Sequence, residues 1–315
     1  MISLQSCLTR LQRSRVVVTG GAGFVGSHLV DYLLAAGAGQ VTVLDDLSRP
    51  RLGWWTQRAD QPRLRLLQGS ILDPELLQQA VDGAQVVLHL AAVSRVLDAD
   101  ADPERTVLIN VLGAVQVAQA ARSAGATRMV FTSSREVYGD PERLPVAEDA
   151  PLRPKNVYGA SKAAAEHLLG ALQDSDFALV VLRLANVYGP GDSGRVIPAF
   201  FDRLEGGRPL VLYGGNQLLD LVWIGPVVEA LVCAGFSEGP ILEPVNVGSG
   251  VATPIRALAE RVLSLGAASA GIDVQPGRAV EVERFQADLD RAERYLGLRP
   301  PADPLSWLAE VRGKA

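Results

Sequence analysis

Tyr158 and Lys162 stand four residues apart, and Ser133-Ser134 precedes them. On a helix, residues spaced i, i+4 share one face. A free tyrosine titrates near pH ~10 and is a poor base at neutral pH. A neighbouring ammonium stabilises the phenolate and lowers that value. Tyr158 then takes the proton of an alcohol as hydride leaves its carbon, and returns one in the reverse direction. Ser134 supplies a short hydroxyl to hold the same oxygen. Taken alone, Tyr-xxx-Lys is equally a packed tyrosine beside an exposed lysine. The serine step, and a glycine loop upstream, make it a candidate catalytic unit.

That loop is Gly20-Gly21-Ala22-Gly23-Phe24-Val25-Gly26. It follows Val16-Val17-Val18, a β-branched run that fits a buried parallel strand. A helical apolar pattern over residues 27–36 comes after it, carrying Leu29, Val30, Leu33 and Leu34. Glycine permits positive φ and lets a phosphate approach the backbone. A helix N-terminus then offers free amides and partial positive charge to a pyrophosphate. The next strand, 41–44, ends at Asp45, which can accept hydrogen bonds from both ribose hydroxyls of an adenosine. A 2′-phosphate there would meet like charge, so NAD is favoured over NADP; Arg49 and Arg51 just downstream weigh the other way.

The rest of the chain must position these groups. Its 315 residues suggest one large domain and a smaller lobe. With 48% hydrophobic and 21% charged residues, it has enough apolar material for a sizeable core. A net charge of −5 argues against broad binding to nucleic acid or an anionic membrane surface. No apolar run is long enough to span a bilayer. Cys7 and Cys233 form neither a disulfide framework nor a metal site, and they fit a reduced cytoplasm. His28, His89 and His167 show no ligand spacing, so no metal is expected.

Strand and helix patterns alternate after the loop: strands at 64–67, 86–90, 129–132 and 177–184, and helices at 74–81, 103–124 and 158–172. Four prolines make 140–155 a loop. Beyond residue 186, Gly and Pro become frequent and the alternation weakens. The expected organisation is an N-terminal tail or short helix at 1–14, an NAD-binding domain at 15–185, and a mainly substrate-binding lobe at 186–315. Some segments of that lobe return to the first sheet. The fold class is α/β: a Rossmann-type, doubly wound parallel sheet with a smaller C-terminal α/β lobe.

Several further motifs accompany these: His89-Leu90-Ala91-Ala92, Asn110-Val111-xx-Gly113, Ser133-Ser134-xx-Val137-Tyr138-Gly139, Arg183-xx-Asn186-xx-Tyr188-Gly189-Pro190 and Asn246-Val247-Gly248. With the loop and the Tyr158–Lys162 pair, they make the chain resemble the extended short-chain dehydrogenase/reductases. Within these it resembles the NAD-dependent sugar-nucleotide epimerase/dehydratase family, from about Val16 to Leu298. The resemblance implies Ser134, Tyr158, Lys162 and Glu136 as catalytic. It implies Gly20, Gly23, Phe24, Val25, Gly26, Asp45, Asp46, Ser70, Ile71, Leu90, Ala91, Ala92 and Asn110 at the NAD site, with Tyr158 and Lys162. For a nucleotide sugar, a UDP-sugar foremost, it implies Ser133, Asn186, Arg195 and Arg278. It also implies a homodimer built on the helices at 103–124 and 158–172.

The departures from the family carry information. Ser70 stands where the family has an aspartate expected near adenine. Leu219 replaces an arginine that contacts nucleotide phosphates in the family, and Arg195 or Arg95 are candidates to compensate. Arg135 occupies the position where dehydratases carry an aspartate. An arginine cannot act as the acid that expels water. Arg135 either pairs with Glu136 at the surface or faces a sugar carboxylate. The expected reaction is therefore 4-epimerisation through a transient ketone. The alternatives are a decarboxylase or dehydratase, an oxidoreductase on a non-nucleotide substrate, and, last, a non-catalytic NAD sensor.

Overall fold

The computed structural model describes residues 3–266 and 271–312. The first part of the chain forms α1 (Leu4–Leu11), β1 (Arg15–Thr19), α2 (Phe24–Ala35), β2 (Gln40–Asp45), α3 (Trp54–Gln57), β3 (Leu64–Gln68), α4 (Pro74–Val81) and β4 (Val86–His89). Next come α5 (Val96–Ala101), α6 (Pro103–Val107), α7 (Ala114–Ser123), β5 (Arg128–Ser134), α8 (Val157–Gly170) and β6 (Ala178–Leu184). The remainder forms β7 (Asn186–Tyr188), α9 (Val196–Glu205), β8 (Leu210–Tyr213), β9 (Leu218–Trp223), α10 (Ile224–Phe236), β10 (Val245–Val247), β11 (Ala252–Pro254), α11 (Ile255–Ser264), β12 (Ile272–Gln275) and α12 (Asp290–Leu296).

Seven strands make one sheet in the order β10-β6-β5-β4-β1-β2-β3, every pair parallel. The order reverses between β1 and β4, and the crevice at the carboxyl ends of such strands is where an open α/β sheet takes its ligand. Helices cover both faces. Leu29 and Leu33 of α2 pack with Leu231 of α10 on one side. Leu77 of α4, Val117 of α7 and Leu169 of α8 pack on the other. A separate cluster around Phe200, Phe201, Leu258 and Leu308 organises the C-terminal lobe, whose strands form the small sheets β11-β9-β7 and β12-β8.

The structure refines three sequence expectations. Residues 4–11 form a helix rather than a tail, capped where the Ser3 hydroxyl accepts from the Ser6 N–H at 3.2 Å. Cys7 and Leu11 on its inner face are fully buried in the core shared with α10. Helix α2 begins at Phe24, not at residue 27, because the extended Gly23 serves as its N-cap. The segment 103–124 is not one α-helix: a π-helical stretch, Leu108–Gly113, separates α6 from α7. There the Asn110 side chain bonds both backbone groups of Val93 (2.8 and 3.0 Å) and the Ser161 hydroxyl (2.9 Å). Such π stretches concentrate where a helix meets a functional site. Among the described residues, no helix is long and apolar enough to cross a membrane.

Candidate active site

A cleft of about 1110 Å³ opens between the carboxyl ends of the strands and the C-terminal lobe. Gly20 sits at φ +70°, and a Cβ there would lie 2.6 Å from the Ala91 nitrogen. At Gly26 a Cβ would meet the Gly20 carbonyl oxygen at 2.2 Å. At Gly23 it would meet only that oxygen, at 3.4 Å. The turn is therefore closed toward the protein and open at the start of α2, whose first amides have no intrahelical acceptor. Asp45 closes β2, its carboxylate accepting from the Ala22 and Leu47 N–H groups at 2.9 and 2.8 Å. Burial raises its carboxyl above the ordinary range, and these backbone donors pull it back. A glycine turn with open amides and a fixed carboxylate beyond the next strand fit the pyrophosphate and ribose of a dinucleotide.

Every residue expected to be catalytic or to touch cofactor or substrate lines this cleft except Asn110. Asn110 is a correction. Its amide is consumed by Val93 and Ser161, so it holds the loop after β4 and the helix α8 in place.

Strand β5 delivers Ser134, and α8 delivers Tyr158 and Lys162. Asn156 caps α8, accepting from the Gly159 N–H at 2.8 Å, and this fixes the helix's first turn. Ser134 stands beside Tyr158, close enough for its hydroxyl to oppose the rise of the phenol. The Lys162 ammonium donates to the Thr132 carbonyl at 2.9 Å and lies 6.0 Å from the centre of the Tyr158 ring. The trio is assembled, but its electrostatics differ from the sequence expectation. Burial pushes Tyr158 up to about 12, opposed by the neighbouring Ser134 hydroxyl and the charges of Arg195 and Arg135. Burial lowers Lys162 itself to about 7, so its positive charge beside the phenol is only partly present at neutral pH. Additional positive charge in the cleft is needed to make this tyrosine a base at neutral pH.

Arg135 and Glu136 form a buried pair, Nη2 to Oε1 at 2.8 Å, not the surface pair considered from sequence. The other Glu136 oxygen accepts from Asn156 Nδ2 at 2.8 Å. Beneath them lies a buried frame. Arg183 pairs with Glu166 at 2.7 Å and donates to the Tyr138 hydroxyl at 2.9 Å. Tyr138 in turn donates to Asn246 at 2.7 Å. The Ser133 hydroxyl donates to Glu166, which leaves its lone pairs for any substrate contact. Sequence reasoning missed Glu166, whose partners Ser133 and Arg183 are distant along the chain, and Asn156, whose cap on Gly159 is local but whose bond to Glu136 is not.

The lobe wall carries Leu219, buried on β9. The same cleft is lined by arginines with local partners. Arg195 pairs with Asp192 at 2.7 Å, and Arg278 pairs with Glu281 at 3.0 Å while lying 3.7 Å over the Tyr213 ring. Arg95 donates to the Ser193 carbonyl. Arg203 also lines the cleft and was not anticipated. Asn186 is present as expected, with its side-chain oxygen buried and without a partner among the described residues.

The model of the NAD dependent epimerase/dehydratase family matches residues 16–248. A UDP-glucose 4-epimerase from Mycolicibacterium smegmatis is 36% identical over 91% of this chain and 93% of its own length. UDP-glucuronic acid decarboxylase 1 from Arabidopsis thaliana is 31% identical over 92% of this chain and 67% of its own. The structure of the epimerase Mth375 from Methanothermobacter thermautotrophicus superposes with a TM-score of 0.91 at 29% identity, covering 98% of this chain and 94% of that one.

Proposed function

We propose that this chain, which belongs to the NAD-dependent epimerase/dehydratase family, epimerises a nucleotide-activated sugar, a UDP-sugar, at C4 through a transient 4-ketone. The observation that carries the reading is the trio gathered in one cleft: Ser134 beside Tyr158, with Lys162 anchored by Thr132 at its floor. NAD, when bound, supplies the two-electron acceptor and donor and a positively charged ring. Tyr158 takes the proton from the sugar 4-hydroxyl and gives it back after the sugar has turned. Ser134 holds the same oxygen, and Lys162 orients the site from below. Arg135 removes the acid that a dehydratase would place beside Glu136, and both Glu136 oxygens are already engaged.

A panel of nucleotide sugars incubated with purified protein, without added NAD, tests this by mass spectrometry and proton NMR. A product of unchanged mass and inverted C4 is expected. Loss of water or of carbon dioxide would replace the reading with a lyase. The same reading includes a homodimer, supported by Val107, Leu108, Leu112 and Leu168, large apolar side chains exposed on the α6–α7 segment and α8. Light scattering should show a dimer that Leu168→Glu dissociates.

A further inference from the structure

The guanidinium of Arg135 is unevenly used. The residue is 8% exposed, and Nη2 is committed to Glu136. Its Nη1 is buried with no acceptor among the described residues. A buried charged donor without an acceptor is costly and rarely retained without a purpose. Glu136 cannot serve this nitrogen as well, since its second oxygen is held by Asn156 at the cap of α8. Arg135 lines the cleft and directly follows Ser134, which stands beside Tyr158. A cleft ligand that reaches this guanidinium therefore lies near Ser134 and Tyr158.

We propose that Arg135 receives a carboxylate on the sugar carbon next to the reacting one, so that the substrate is a nucleotide-activated hexuronate. This rests on the C4-epimerase reading. C4 of a hexose has two neighbours, and only C5 bears a carbon that occurs as a carboxylate. Guanidinium–carboxylate hydrogen bonds are charge-assisted and about twice as strong as neutral ones. The hydroxymethyl group of a neutral hexose offers Nη1 only a neutral acceptor.

The same contact bears on the outcome of the reaction. Oxidation at C4, with NAD as two-electron acceptor, places a ketone β to the carboxylate. Loss of carbon dioxide would break the C5–C6 bond and send its electron pair into the ketone oxygen. That step discharges the carboxylate, and a guanidinium bound to it stabilises the charge that would have to disappear. The C5–C6 bond is kept, hydride returns to C4, and the product has the mass of the substrate.

The test compares UDP-glucuronate with UDP-glucose on NAD-loaded protein, reading kcat/KM and product mass. Wild type should prefer UDP-glucuronate by about tenfold or more and release no carbon dioxide. Arg135→Gln combined with Glu136→Gln, which leaves no unpaired buried charge, should abolish the preference and release carbon dioxide. Arg135→Lys should keep most of the preference, and thermal melting checks that each variant folds. A wild type that prefers UDP-glucose overturns the role of Arg135 but leaves the epimerase standing. So does a preference that survives in the double variant. If neither sugar is turned over, the epimerase reading falls, and calorimetry decides the inference: selective binding of UDP-glucuronate lost in the double variant supports it, and equal affinity for the two nucleotides overturns it.

Discussion

On the dinucleotide side of the cleft, the ligand-facing surface is largely backbone: the Gly20–Gly26 turn, the first amides of α2, and a carboxylate pinned by two N–H groups. On the side of the C-terminal lobe it includes long side chains, Arg195, Arg203 and Arg278, together with a buried Leu219. A backbone site has few sequence solutions, because a Cβ at Gly26 collides with a carbonyl that cannot move aside. A side-chain site has many, since several arginines can reach the same phosphate. That difference explains why the cofactor can be named from a short motif and the substrate cannot.

The sharpest way to separate the two sides is Tyr158→Phe. Turnover should fall on the order of 10²–10⁴-fold, while NAD released from the denatured protein stays stoichiometric. Loss of NAD as well would mean the trio and the dinucleotide turn are not independent. Within the turn, Gly26→Ala should lower stability by about 1–3 kcal/mol and abolish NAD binding. Gly23→Ala, where a Cβ is tolerated by the protein itself, should melt like wild type and bind NAD more weakly. Equal melting of the two variants would break the distinction between a closed and an open side of the turn. On the substrate side, Leu219→Arg should lower KM for a nucleotide sugar about tenfold, the effect of one charge-assisted contact, with little change in kcat. No change would show that the neighbouring arginines already hold the phosphates.

A further effect is electrostatic and read through pH. Lys162 falls to about 7 in the folded protein against 10.5 unfolded. Between those values the unfolded chain binds the extra proton, so this group makes stability rise with pH from about 7 to about 10.5. Below that window both states are protonated and the full penalty of burying the charge is present. Denaturant titrations of the NAD-free protein should therefore show wild type gaining on Lys162→Met as pH rises through the window. A difference that stays constant with pH would place the ammonium in a wetter site than the structure shows.

Legibility followed chain distance. Asp73 capping α4 and Pro74 in its first turn are neighbours in sequence, and the helix at 74–81 is read to its ends. The glycine turn and the Tyr158–Lys162 spacing are local too. The π stretch was not legible, and the bonds that accompany it, from Asn110 to Val93 and Ser161, join residues separated along the chain. The same holds for the Arg183–Glu166–Ser133 frame and for Asn156 on Glu136. The burial that raises Tyr158 and lowers Lys162 is a property of the assembled cleft, which no spacing encodes.

The path of the chain after β6 has an engineering consequence. It enters the lobe at β7, returns to the main sheet through α10 and β10, and leaves again at β11. Ala292, Leu296 and Leu298 then pack in the main core before Leu305, Leu308 and Val311 finish the lobe's own. No single cut separates one half from the other. A chimera that grafts a new specificity lobe onto this cofactor half would need several junctions chosen together, so specificity in this scaffold should be changed residue by residue at the cleft wall, not by exchange of a cassette.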